Sequence, residues 1–310
     1  MRCLITGASG FVGRHLADAL QPAGHHVEGL ARRSAAAPFT IHVADLSDPV
    51  ATEAVIRSVK PEWVFHLAGF ADAGKSFLEP AAVWAGNLSA SLGLYAAIAK
   101  SGLRPRILHV SSGLVYGDAK PVEPPPTEES PLRPASPYAA SKAAADLLAY
   151  QQTRSPGLDI VRARPFNQIG PGQSPDYAAP NFARQITLAE RGAGLPVVIA
   201  KDLSPYRDLT DVRDMVRAYI RLLEVGRTGE AYTAGSGRVY QIREVLDRLV
   251  RLARVPMTVD ERGDPARAGD TAMAAADTRK LRAETGWAPT YSLDQSLADI
   301  LDDWRRRVGP

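Results

Sequence analysis

Residues 2–20 read RCLITGASGFVGRHLADAL: a short strand-forming run, then Gly7-x-x-Gly10-x-x-Gly13, then an amphipathic helical pattern. Glycines at these spacings allow a tight turn, close approach of the backbone to a pyrophosphate and close packing of helix on strand. The helix start leaves free N–H donors facing an anion. Working outward, apolar runs of strand length recur at 26–30, 40–44, 63–68, 107–111 and 160–163, separated by helical patterns at 49–59, 81–101 and 137–153. Continuous rather than alternating apolar strands, separated by helices, predict a parallel sheet covered on both faces. The fold class expected is therefore α/β, a Rossmann-type doubly wound parallel sheet with a smaller α/β substrate-binding domain. Further helices are expected at 181–191, 212–223, 242–252 and 293–308. The Gly/Pro/Gln/Ser-rich stretch 167–180 sets a boundary between residues 1–165 and 166–310, with about 206–228 packing back on the first domain. The proline-dense segment 120–137 is expected to be a loop over the site.

The 310 residues are 45% hydrophobic and 23% charged, with a net charge of +3 and a single cysteine, Cys3. An internal disulfide is excluded, and a reducing compartment, the cytoplasm, is expected. Lys and Arg are interspersed with acids, which implies no nucleic-acid partner but suits a phosphate-bearing substrate. No uninterrupted apolar run approaches the roughly 18 residues of a membrane span. The histidines lack metal-ligand spacing, so no metal is expected.

A cofactor site follows from the opening motif, with Gly7, Gly10, Phe11, Val12 and Gly13 against the ligand. Strand 26–30 runs into Arg32 and Arg33, where an NAD-preferring site usually carries an acid. Two guanidiniums there suit a 2′-phosphate, hence NADP(H), with NAD(H) possible. Asp45 and Leu46 end the next strand, as acceptor for an adenine amino group and packing partner for the ring. Leu67, Ala68 and Gly69 supply small residues where backbone must approach the cofactor, and Asn87 could steady that turn.

Tyr138-x-x-x-Lys142 places a phenol and an ammonium one turn apart on one helix face. A nearby cation is expected to lower the tyrosine pKa and make it a usable proton carrier. Ser112, at the end of strand 107–111, would hydrogen-bond the reacting oxygen. Arg207 and Arg267 are candidates for a diphosphate, and Asn167 for sugar or phosphate.

The ordered set TGASGFVG, HLAG, SSGLVYG, YAASK, RPFN and RDLTDVRD resembles the extended short-chain dehydrogenase/reductase family of nucleotide-sugar epimerases, dehydratases and reductases, along essentially the whole chain. The resemblance implies the catalytic set Ser112, Tyr138 and Lys142, with Asn167 and Arg207 near substrate, and a homodimer. Ala139, Ala140, Ala143 and Ala144 would permit close helix packing. RPFNQIGPGQ and TGWAPTYSLDQSLADILDDW most resemble members that reduce a GDP-linked 4-keto-6-deoxymannose with NADPH. Three other activities compete with that reading. A 4-epimerase with retained NAD needs only the same three residues. The related 4,6-dehydratases carry an acid pair or acid–amide pair after the catalytic Ser or Thr, where Gly113 and Leu114 stand here, and neither can transfer a proton. A non-enzymatic NADP sensor would be expected to lose Tyr138 or Lys142.

Overall fold

The computed structural model describes residues 1–117, 124–263 and 275–309. Six strands of the first half, β1 (Arg2–Thr6), β2 (His26–Ala31), β3 (Ile41–Val43), β4 (Trp63–His66), β5 (Arg106–Val110) and β6 (Asp159–Pro165), fall where apolar runs predicted them. Strands β7 (Asn167–Ile169), β8 (Val197–Ala200), β9 (Tyr206–Asp211), β10 (Ala231–Ala234), β11 (Val239–Gln241) and β12 (Thr258–Glu261) follow. The large sheet is parallel throughout, in the order β3-β2-β1-β4-β5-β6-β10. The order reverses between β2 and β4, where β1 carries the glycine loop; that switch point is where doubly wound sheets bind ligands.

The helices are α1 (Phe11–Leu20), α2 (Pro49–Val59), α3 (Pro80–Trp84), α4 (Ala90–Ser101), α5 (Pro137–Arg154), α6 (Ala178–Glu190), α7 (Val212–Val225), α8 (Ile242–Arg251), α9 (Arg279–Thr285) and α10 (Leu293–Arg307). Successive strand residues serve opposite layers. In β1, Cys3 and Ile5 pack with Leu16 and Leu20 of α1 and with Met215 and Leu222 of α7. Leu4 faces Ile56 of α2 and Leu94 and Ile98 of α4. Both faces are thus covered, which is why these strands read as unbroken apolar runs.

α7 packs on α1, and β10 joins the edge of the large sheet beside β6, so the later half of the chain returns to the first domain at two places. The smaller core is built from Ile169 of β7 with Phe182 and Ile186 of α6, Leu246 and Leu249 of α8, and Leu297 and Trp304 of α10. Against it lie a β11-β9-β7 sheet and a β12-β8 pair. Residues 124–136 are loop, held by Arg133 N–H on Val115 O (3.0 Å) and by the Glu128 carboxylate on Thr233 N–H (2.7 Å). They pack beside β6 and β10 and do not line the cleft described below; residues 120–123 of the segment expected over the site lie outside the described residues.

The expected helix 81–101 is one helical run interrupted by a π turn at Ala85–Ser89. By length and composition Pro80–Ser101 could cross a membrane, with a mean hydropathy of 1.3. It packs instead against α2 and α5, with Val83, Leu94 and Ile98 fully buried, as a core helix of the large domain.

Candidate active site

A cleft of about 1010 Å³ runs along the C-terminal edge of the large sheet and ends against β7 and the loop after it. Gly7 at φ 72° makes the turn out of β1, and a Cβ there would lie 2.9 Å from Ala68 N. A Cβ on Gly13 would lie 2.5 Å from Gly7 O, so the α1 helix can sit this close only with glycine. Gly10 caps α1 without any side-chain hydrogen bond, leaving the first-turn N–H groups to a ligand. The residues whose backbone a cofactor would approach are therefore those where a side chain cannot fit, and the cradle fits a dinucleotide pyrophosphate.

Of the residues expected to hold a cofactor, Phe11, Val12, Arg32, Arg33, Asp45, Leu46, Leu67, Ala68 and Gly69 all line this end of the cleft. Arg32 and Arg33 are exposed at its mouth. The Asp45 carboxylate accepts from Ser47 Oγ (2.7 Å) and Ser47 N–H (2.9 Å), and these bonds, aided by Arg32, hold it below the usual carboxylate range. Asn87 does not line the cleft. It lies behind the turn, where Oδ1 accepts from Phe70 N–H (2.9 Å) and Nδ2 donates to Ser141 Oγ (2.8 Å). Ser141 Oγ in turn donates to Tyr138 O (2.8 Å), so Asn87 ties the turn after β4 to helix α5.

Ser112 follows β5, and its Oγ accepts from Leu114 N–H (3.2 Å). Tyr138 is the second residue of α5, whose start is fixed by Pro137 in the first turn and by Ser136 Oγ accepting from Ala139 N–H (3.1 Å). Ser112, Tyr138 and Lys142 all face the cleft. Burial raises the Tyr138 pKa, and a hydrogen bond with Ser112 opposes that rise. The lowering expected from Lys142 is not found. Its Nζ is turned to donate to Val110 O (2.9 Å), and burial lowers its own pKa to about 8 against the pull of Asp146.

Asp146 continues the same face of α5 one turn beyond Lys142 and is fully buried. Its carboxylate pairs with Arg162 and accepts from Arg164 Nη2 (2.9 Å) and Nε (3.1 Å). Arg164 also donates to Tyr116 OH (3.1 Å) and Glu128 O (3.1 Å). Helix α5 is thereby locked in register on β6. On the opposite side His66 bridges Thr6 Oγ1 (2.8 Å) and Ser91 Oγ (2.9 Å), and burial holds it neutral.

Asn167 lines the far end of the cleft, but Arg207 does not. It lies on β9 opposite Tyr240, with Nη1 on Tyr206 O (2.7 Å). Arg267 lies outside the described residues. Sequence reasoning passed over Ser9, Phe70, Gln168, Gln173, Tyr177 and Tyr219, which also line the cleft. Gln168 and Gln173 lie in RPFNQIGPGQ, a stretch read for its loop composition, its Asn167 and its resemblance, but not for its glutamines.

A model of the NAD dependent epimerase/dehydratase family matches residues 3–235. GDP-6-deoxy-D-mannose reductase of Pseudomonas aeruginosa is 36% identical, covering 99% of this chain and 98% of that one. RMD from Pseudomonas aeruginosa, solved complexed with NADPH, superposes with a TM-score of 0.87 at 33% identity, over 99% of this chain and all of the other. UDP-glucose 4-epimerase of Thermus thermophilus, solved with NAD, gives a TM-score of 0.88 at 28% identity, over 98% and 99% of the two chains.

Proposed function

Because the chain belongs to the NAD dependent epimerase/dehydratase family, we propose that it reduces the C4 ketone of a nucleotide-linked 4-keto-6-deoxy sugar with NADPH. The substrate we assign is GDP-4-keto-6-deoxy-D-mannose and the product GDP-D-rhamnose. Similarity to a GDP-6-deoxy-D-mannose reductase along the full length supports this choice.

One observation carries the direction of the chemistry. Burial raises the Tyr138 pKa, which favours the phenol as the proton donor that a ketone reduction needs at the oxygen where charge develops. NADPH, when bound, supplies the hydride; Gly7, Gly10 and Gly13 would hold its pyrophosphate, and Arg32 and Arg33 its 2′-phosphate. Ser112 orients the carbonyl, Tyr138 gives its proton to the C4 oxygen, and Lys142 holds the positive charge that steadies the phenolate left behind. Asn167 contacts the sugar end, and Arg207, which lies outside the cleft, is reserved with Arg267 for a diphosphate that extends beyond it. Asn87 acts through the turn it supports.

Epimerisation would use the same three residues with retained NAD, and an epimerase shares the fold. The two arginines at the end of β2 favour an exchangeable NADPH. Retention of Tyr138 and Lys142 argues against a sensor without turnover. We assign a homodimer formed through α4 and α5. The large apolar groups these helices leave exposed are Leu92, Leu147 and Tyr150, whereas Ala139 and Ala143 are buried within the protomer. A cytoplasmic site fits the buried, lone Cys3, whose thiol pKa burial pushes up to about 12.

The deciding experiment follows NADPH absorbance with GDP-4-keto-6-deoxymannose made in place by a separate dehydratase, beside the dTDP- and UDP-linked keto sugars. Oxidation with the GDP substrate alone is expected. Interconversion of a 4-hydroxyl sugar nucleotide without added cofactor, and no oxidation of NADPH, would assign the epimerase instead.

A further inference from the structure

Three side-chain amide oxygens in the far wall of the cleft, those of Asn167, Gln168 and Gln173, are buried without a hydrogen-bond donor among the described residues. Gln173 is only 6% exposed. The nitrogen of each glutamine is already engaged. Gln173 Nε2 donates to Gln168 O (2.9 Å), which fixes which end of that amide faces the cleft, and Gln168 Nε2 donates to Tyr219 OH (3.2 Å). These bonds tie the loop after β7 to β7, and β7 to α7, leaving the carbonyl ends of the two glutamines as fixed acceptors. Buried acceptors without a partner are uncommon in folded proteins, and a group of them in a cleft wall indicates a ligand that brings the donors.

The chemistry of the wall separates the parts of a sugar nucleotide. A diphosphate is itself an acceptor and finds nothing to bind at the two glutamine carbonyls; ring hydroxyls are donors and do. We propose that Gln168 and Gln173 are specificity-determining residues that receive hydroxyl hydrogens of the hexose, and that they place the sugar ring, rather than the diphosphate, against β7. The proposal rests on the nucleotide-sugar reading above and names the subsite within it. A site whose buried acceptors need a substrate hydroxyl rejects the analogue that lacks it.

The test is a binding measurement and needs no turnover, so it stands apart from the reductase assay. Calorimetric affinities of GDP and GDP-mannose, and of UDP and UDP-glucose, are measured on the NADP⁺-saturated protein, for wild type and for Gln168→Met and Gln173→Met. Methionine keeps the length and removes the acceptor. In at least one of the two pairs the sugar should tighten binding to the wild type. Each substitution should cut that gain about tenfold, the order of one lost hydrogen bond to a buried acceptor. Affinity for the bare nucleoside diphosphate and for NADPH should stay within about twofold. NADPH titration covers the competing donor, the nicotinamide carboxamide; weakening there would overturn the proposal. So would equal losses for GDP and GDP-mannose, an unchanged sugar gain in both variants, or a wild type that binds neither sugar nucleotide better than its nucleoside diphosphate. If Gln173→Met loosens its loop, the melting temperature falls and the Gln168→Met result decides. If the sugar gain drops as expected while no keto sugar is reduced, the hexose wall stands and the reductase reading fails.

Discussion

Replacing Arg32 and Arg33 together by alanine tests how the end of β2 chooses its cofactor. Both guanidiniums stand at the cleft mouth, and Arg32 is near enough to Asp45 to draw its pKa down. A hydrogen bond to a charged partner contributes about 1.5–3 kcal/mol when shielded. These side chains are exposed, so solvent screening reduces each to about 1 kcal/mol. The pair then contributes about 2 kcal/mol toward a 2′-phosphate, or about thirtyfold in affinity. NADH, which carries a hydroxyl there, should change by less than about twofold, since an exposed neutral contact is worth little. Titration of both cofactors by fluorescence, at low and at physiological ionic strength, measures the ratio directly. The NADPH preference should also shrink as salt rises, because the Debye length falls to about 8 Å at physiological strength. Equal losses for NADPH and NADH would mean that the arginines support the loop and do not read the phosphate; no loss for either would remove them from the site.

Tyr138→Phe should lower turnover at least about a hundredfold with NADPH affinity preserved, the usual scale for a lost general acid; near-normal turnover would exclude the phenol from the mechanism. Lys142, with its pKa lowered to about 8, is charged below that pH and loses its proton as pH rises through it. Reductive kcat/KM should therefore fall through about pH 8, and this limb should vanish from the residual activity of Lys142→Met; a limb that survives the substitution belongs to another group. Asp146→Ala leaves the buried Arg162 and Arg164 without their counter-charge, which should cost about 3–5 kcal/mol, read as a lower urea midpoint. An unchanged midpoint would show that the cluster is not what locks α5 on β6.

The large sheet was legible because its strands are buried on both faces and so read as unbroken apolar runs. The later strands were not. β9 reads YRDLTD, and its Asp208 is buried only because Ser236, Gly237 and Ala276, all distant in sequence, bring N–H groups to its carboxylate. No local pattern announces such a strand. Glycine loop and Tyr138–Lys142 spacing could be read because each lies within one or two turns of chain. Spacing says nothing about where an ammonium points: Lys142 turns to Val110 O, and burial, not the lysine, sets the direction of the Tyr138 shift. Asn87 was found as a residue of interest, but only the π turn shows that it serves the cleft from behind. Gln168 and Gln173 sit in a stretch whose composition signals a loop, and their free acceptors exist only once that loop folds against β7 and α7.

Packing also limits what the site can do beyond hydride and proton transfer. Removing water across C5 and C6 of a hexose needs a proton acceptor and a proton donor beside the ring, and a side chain directly after Ser112 would be placed to serve. That position is Gly113, where an added Cβ would lie 2.5 Å from Phe166 Cδ2 and 2.6 Å from Cε2. Phe166 cannot simply withdraw, since it is buried in a small cluster with Val115, Ala143 and Ala276 that joins the end of β6 to α5. An acid at 113 would displace the ring and with it the packing behind Tyr138. The next residue, Leu114, reaches the cleft but carries no proton. The same contact that seats α5 against β6 therefore keeps an acid from the position directly after Ser112.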